Sequence, residues 1–304
     1  MSDAAKDPIA ILAFDHRGEF SRSVLGVDVD ELDHERRAAL RDAKALIFEG
    51  YEVAARHGLR GLRSGVLVDE EFGGAVADRC CERRDFVFAM PVEKADRDIF
   101  EFEFGDAFAA HLERFQPDFA KALVRYNPDD DAEGRAIQLA RLRSLSDWLQ
   151  GSRTRFMFEL IVRPTRWQLD HAASDRVLYE DQVRPALVRR AMRDIHEAGI
   201  RVDVWKLEGI SLAAEAQAIA EEARSVDREV ECVVLGAAAP EERVDQWLRV
   251  AAETEGFNGF AIGRNIWREV IRGYLSGVLD REDAVVSIAR AYARFAERYV
   301  SYAR

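Results

Sequence analysis

Residues 155–164 read RFMFELIVRP. Phe156, Met157, Phe158, Leu160, Ile161 and Val162 form an apolar run broken once, by Glu159. A strand with one wet face would alternate apolar and polar residues. A nearly continuous run belongs to a strand covered on both faces, as in a parallel sheet. A carboxylate inside such a run is costly unless it is paired or shifts its pKa. This stretch therefore predicts a parallel sheet and a polar partner for Glu159.

Working outward, seven further runs have the same character: IAILAFDH (9–16), GVLVDEEFG (65–73), DFVFAMPVEK (85–94), FAKALVRYNP (119–128), VDVWKLEG (202–209), ECVVLGAAAP (231–240) and GFNGFAIGR (256–264). Helical spacing fills the gaps. Leu40, Ala43, Ile47, Tyr51 and Ala54 form a stripe within 34–57, and segments 131–150, 180–198, 211–226 and 240–253 read similarly. Val285, Ile288, Tyr292, Phe295 and Tyr299 mark a C-terminal helix, suited to an interface or to capping the fold. Strict alternation of strand and helix predicts βαβ units. Eight such units in 304 residues predict a (β/α)8 TIM barrel with an extra C-terminal helix, one domain spanning 1–304. A doubly wound open sheet is the alternative. Segment 165–180 (TRWQLDHAASDRVLYE) reads as a long loop, a lid or rim.

Composition narrows the function. A net charge of -12 argues against a nucleic-acid partner. No apolar stretch is long enough for a membrane span, and the first residues lack the basic start of a signal peptide. Three cysteines, two of them adjacent, make no disulfide framework, so a cytoplasmic protein is expected. The six histidines show no metal-ligand spacing, and no metal is expected. Five lysines stand against thirty-nine arginines. Unlike arginine, a buried lysine can lose its proton near neutral pH and attack a carbonyl. Three of the five, Lys94, Lys121 and Lys206, fall on strand-like runs.

In such barrels the active site lies at the C-terminal ends of the strands. Those ends carry Asp15-His16-Arg17, Asp69-Glu70-Glu71, Glu93-Lys94, Lys121 with Arg125, Glu159, Lys206 with Glu208, and Gly263-Arg264. Singly, each reads as well as a solvated or structural residue. Together they suggest an amine, a proton shuttle and anion contacts at one mouth. The 69–71 acids read better as a solvated or supporting cluster than as a metal site. Gly236 and Gly263, with Arg264, lie where the strand-seven and strand-eight loops of many barrels bind phosphate.

In this order the residues resemble the class I (Schiff-base) aldolases of the (β/α)8 type, the group holding fructose- and tagatose-1,6-bisphosphate aldolases. The resemblance spans nearly the whole chain. The stretches FDHRGEF, KALVRYNPDDD, FELIVRP, VDVWKLEG and GFAIGRNIW are similar to stand-alone relatives of the aldolase-like domain fused to a sugar kinase in inositol catabolism. The resemblance implies Lys206 as Schiff-base lysine, with Glu159, Lys121 and Asp15 as its catalytic partners. It implies substrate contacts from Lys94, Arg125, Gly236, Gly263 and Arg264. No cofactor beyond the covalent imine is implied. The implied substrate is a phosphorylated keto sugar or keto sugar acid, such as 2-deoxy-5-keto-D-gluconate 6-phosphate, cleaved to dihydroxyacetone phosphate and malonate semialdehyde. Other ketose bisphosphates, sulfosugar phosphates and a non-catalytic sugar-phosphate-binding barrel are the alternatives. Barrels of this kind often form homo-oligomers. The Gly236-Ala237-Ala238-Ala239 loop departs from the more Ser/Gly-rich phosphate loop of the bisphosphate aldolases.

Overall fold

The computed structural model describes residues 6–303. Eight parallel strands close a barrel in sequence order: β1 Ile9–Ala13, β2 Arg63–Leu67, β3 Val87–Pro91, β4 Phe119–Arg125, β5 Arg155–Ile161, β6 Val204–Glu208, β7 Glu231–Leu235 and β8 Phe257–Ile262. The chain is therefore the predicted (β/α)8 TIM barrel. Around it run α1 Gly18–Leu25, α2 His34–Arg56, α3 Gly74–Cys81, α4 Phe108–Phe115, α5 Ala132–Leu149, α6 Arg166–His171, α7 Arg176–Leu178, α8 Arg184–Glu197, α9 Ala213–Ala223, α10 Glu241–Ala252, α11 Arg264–Leu275 and α12 Arg281–Tyr302.

Alternation along the strands explains the interior. Ile9, Ile11, Ala13, Leu67, Ala89, Phe119, Met157, Val204, Val233 and Ala261 meet inside the barrel, while their neighbours face the helices. Two residues further along several strands, the same inward direction meets polar side chains. Asp15 follows Ala13, Lys121 follows Phe119, Glu159 follows Met157 and Lys206 follows Val204. The apolar floor thus carries a charged layer at the C-terminal mouth.

The closing seam lies between β8 and β1. Gly259 has φ +126°, and a Cβ there would meet the Ile9 carbonyl oxygen at 1.8 Å, so only glycine lets the strands pair. Helix α12 supports this seam. Tyr292 donates to the Ala10 carbonyl at 2.7 Å, and the Gly259 amide donates to the Tyr299 hydroxyl at 2.7 Å. Ile288, Tyr292, Phe295 and Tyr299 are buried in that packing, so most of the C-terminal stripe faces this protein's own core. Such a buried aromatic face contributes roughly 25 cal/mol per Å² removed from water.

Two connections differ from the sequence-based reading. Segment 165–180, expected to be a long loop, is largely helical. Thr165 and Gln168 form a capping box that starts α6, and Asp175 caps α7. A π-helical turn, Tyr179–Val183, then leads into α8. The reason is local cap chemistry within a segment too polar to show a helical stripe. After β3 the chain makes a hairpin across the mouth, with Lys94 N–H donating to Glu101 O at 2.8 Å and Glu103 N–H to Val92 O at 2.9 Å.

Candidate active site

The charged layer is one contiguous cluster. Register places Glu159 of β5 beside Lys206 of β6, and Glu159 Oε2 lies 2.9 Å from Lys206 Nζ. The same oxygen is 3.3 Å from Lys121 Nζ of β4. Lys121 Nζ also reaches Asp15 Oδ2 at 2.6 Å and Glu93 Oε1 at 2.6 Å. Lys121 is 1% exposed and Lys206 3%, so neither ammonium sits in bulk water. Two amines and three carboxylates therefore share a water-poor space, where charges interact strongly.

Burial is the largest influence on each of these acids, and it favours the neutral form. At Asp15, Lys121 and then Lys206 outweigh burial and hold the carboxyl well below the usual range. At Glu159 the order is Lys206, then Lys121, again with a net lowering. At Glu93 burial prevails and raises the carboxyl despite Lys121 and Arg17. Burial would strip the proton from Lys121, but Asp15, Glu93 and Glu159 reverse that and lock its ammonium on. His16, beside Asp15, is pushed by burial down to about 4 and is neutral at physiological pH.

The two amines thus differ in surroundings. Lys121 is surrounded by three carboxylates. Among the described residues Lys206 pairs with one, Glu159. Asp15 Oδ1 is buried without a hydrogen-bond partner among the described residues, which leaves an ionised oxygen able to accept from a hydroxyl.

The other expected site residues occupy the rim. Lys94 lines the cleft above Lys121 but makes no ion pair among the described residues; Glu93 enters the cluster in its place. Glu93 continues the inward alternation of Ala89 and Pro91, and that signal was readable in PVEK. Arg125 lines the same cleft, donates to the Arg97 carbonyl in the hairpin, and has its Nε unpartnered. Arg264 pairs with Glu19 at 2.8 Å, so an incoming anion would compete with that carboxylate. A Cβ at Gly263 would meet the Ala13 carbonyl oxygen at 2.0 Å, so this glycine answers to strand packing. A Cβ at Gly236 would come within 2.6 Å of Asn265 Oδ1, which has no hydrogen-bond partner among the described residues. Ala237 and Ala238 both take positive φ, bending this loop towards the start of α11.

The 69–71 acids separate. Asp69 pairs with Lys44, Glu70 with His111 and Arg114, and Glu71 with Arg37. Arg17, which the sequence places at the end of strand one without a role of its own, spans the mouth. It donates to the Glu93 carbonyl at 2.6 Å and to Glu103 in the hairpin at 2.7 Å.

Fold and cluster together define a TIM barrel whose mouth holds a buried amine–carboxylate site. The chain belongs to the family described as "Uncharacterized protein conserved in bacteria (DUF2090)", whose model matches residues 2–302. Two solved structures share the fold. Cgl0159 of Corynebacterium glutamicum has a TM-score of 0.57 at 16% identity, over 97% of this chain and 87% of that one. Fructose-bisphosphate aldolase of Plasmodium falciparum, solved in complex with TRAP and a small-molecule inhibitor, has a TM-score of 0.59 at 13% identity, over 95% and 90%. No curated protein matches the chain in sequence.

Proposed function

We infer that the protein is a class I aldolase that cleaves a phosphorylated keto sugar or keto sugar acid through an imine on Lys206. The observation that carries this reading is the 2.9 Å approach of Glu159 Oε2 to Lys206 Nζ inside the barrel. The likeness to fructose-bisphosphate aldolase in fold agrees with it.

The chemistry follows from the geometry. Glu159 takes a proton from Lys206, and the free amine adds to the substrate ketone. Glu159 then returns the proton to the carbinolamine hydroxyl, which leaves as water. The iminium withdraws electrons from the neighbouring carbon–carbon bond. Asp15 accepts the hydroxyl proton of the carbon beyond that bond, the bond breaks, and an aldehyde departs. Lys121, locked as an ammonium, supports the developing oxyanion. The remaining enamine is protonated and hydrolysed, returning Lys206. Arg264, with backbone N–H groups near Gly236 and Gly263, holds the phosphate. Arg125 and Lys94 face the far end of the substrate and suit a carboxylate or second phosphate.

Within this class, 2-deoxy-5-keto-D-gluconate 6-phosphate meets both requirements, with a phosphate at one end and a carboxylate at the other. Its retro-aldol products are dihydroxyacetone phosphate and malonate semialdehyde. The test is borohydride reduction with dihydroxyacetone phosphate, followed by peptide mass mapping. The expected adduct lies on the peptide holding Lys206 and is lost in Lys206→Met. An adduct confined to Lys121 would move the nucleophile; no adduct on either would end the imine reading.

A further inference from the structure

Lys44 is the most deeply enclosed of the lysines and belongs to none of the steps above. It lies on α2, outside the barrel, with no exposed surface. Its neighbours on the inward face of α2 are apolar: Leu40, Ala43, Ile47 and Tyr51. Its ammonium is packed 4.9 Å from the centre of the Phe20 ring and 5.8 Å from that of Phe72. From there it donates to Asp69 Oδ1 and, at 2.8 Å, to the main-chain carbonyl of His16. Asp69 is itself fixed, because its Oδ2 accepts the Phe72 N–H at 2.9 Å.

The place of this contact matters. The β1–β2 ladder pairs Ala13 with Leu67, and its last bond runs from Phe14 N–H to Leu67 O at 2.8 Å. Asp15 and His16 lie past that bond, where the sheet no longer holds the backbone. At that point Lys44 bridges from the carbonyl of residue 16 to the side chain of residue 69. It splices β1 to β2 two residues beyond the ladder. On the other side Arg17 is tied to the Glu93 carbonyl. Asp15 is therefore held between the ladder bond at Phe14 and the ties at His16 and Arg17, with its Oδ2 on Lys121 at 2.6 Å.

Sealing α2 onto the barrel does not require a charge. A well-packed apolar residue would serve at least as well, because a buried ion pair seldom adds net stability over hydrophobic packing. We propose that Lys44 is a positioning residue: through the Asp69 carboxylate and the His16 carbonyl it sets the placement of Asp15 for carbon–carbon bond cleavage. This rests on the aldolase reading only for the step that Asp15 serves; the placement itself does not depend on it.

Two variants separate position from charge. Lys44→Met leaves Asp69 buried without its cation. Lys44→Met with Asp69→Asn removes both charges and keeps an acceptor for Phe72 N–H. With dihydroxyacetone phosphate as probe, two rates are measured in each. Imine trapping by borohydride reports Lys206 and Glu159. Cleavage of 2-deoxy-5-keto-D-gluconate 6-phosphate reports Asp15. In the folded double variant, trapping is expected to stay within about twofold of wild type. Cleavage is expected to fall by on the order of 10²-fold in kcat, the size of a roughly 1 Å misplacement. A crystal structure of the double variant should show the Asp15–Lys121 contact lengthened and the 15–17 loop shifted. Wild-type cleavage in the double variant, or an unmoved Asp15 in its structure, overturns the proposal. If wild type itself forms no adduct on Lys206, the aldolase reading fails, and the Asp15 position alone then decides the role of Lys44.

Discussion

Replacing Lys121 by Met should make the protein's stability depend on pH with a sign opposite to that of Asp15 and Glu159 today. In the native cluster Lys121 Nζ contacts Asp15 at 2.6 Å, Glu93 at 2.6 Å and Glu159 at 3.3 Å. Asp15 and Glu159 have folded pKa values below their ordinary ones. Each contributes stability that is present above its unfolded pKa, roughly 4, and lost as pH falls through the folded value. Glu93, raised by burial, contributes in the reverse direction even now, losing stability as pH rises through its folded pKa. Without Lys121, the three carboxylates are left with Lys206 and, 3.8 Å from Glu93, Arg17. Burial, already the largest influence on all three, then meets much less opposition. Their folded pKa values rise, and ionisation costs stability as pH increases. Removing one partner of a buried pair costs about 3–5 kcal/mol, so that is the deficit expected at pH 8. One carboxyl raised by two units would recover about 2.7 kcal/mol at low pH. Urea unfolding of both proteins at pH 8 and pH 5 measures this. The deficit should shrink by about 1–1.5 kcal/mol at pH 5, about half of that full recovery. A deficit under about 1 kcal/mol at pH 8, or one equal at both pH values, would refute the electrostatic account of the cluster.

Glu159→Gln should slow imine formation by about 10²–10⁴-fold, because the amide can neither take nor return the lysine proton; borohydride trapping timed by mass spectrometry checks it. At the phosphate end, Arg264→Ala should raise KM by roughly 10–100-fold with little change in kcat, the loss of one charge-assisted contact. Glu19→Gln, which frees Arg264 from its carboxylate partner, should lower KM; steady-state kinetics with a phosphorylated ketose reads both. The hairpin tip is held by Arg22–Asp96 and Arg163–Asp98, pairs with exposed partners. Cutting either with Asp96→Ala or Asp98→Ala should cost no more than about 1 kcal/mol in urea unfolding.

Much of the barrel was legible because its strands are buried on both faces, so each appeared as an apolar run bounded by charge. Glu159 and Lys206 stood out for the same reason: a charge inside an apolar strand has few explanations. The segment after β5 was not legible, because α6 is six residues long and owes its start to Thr165 and Gln168 instead of an apolar stripe. The choice of Lys94 over Glu93 shows a different limit. Both stand at the end of β3, and charge type favoured the lysine. Counting inward positions from Ala89 also points to Glu93, which contacts Lys121, while Lys94 lines the cleft beside it. The rim contacts of Arg125 and Arg264 lay beyond the sequence because their partners, the Arg97 carbonyl in the hairpin and Glu19 on α1, are distant in the chain.

Lysine scarcity was informative, but it marked enclosure more than reactivity. Three of the five lysines, Lys44, Lys121 and Lys206, are buried in a chain that otherwise uses arginine. Lysine presents a compact ammonium on a thin stem, whereas arginine presents a broad planar fork. Lys121 must meet three carboxylates converging from three strands, and Lys44 must meet one carboxylate and one carbonyl between two phenyl rings. A broad guanidinium suits neither set of contacts as well as a compact ammonium. Among the described residues Lys206 is buried with one oxygen contact, Glu159, where Lys44 has two and Lys121 three, and that combination suits attack on a carbonyl. The same residue type thus serves as anchor, clamp and nucleophile. The number of oxygens around each nitrogen, more than its burial, distinguishes the three.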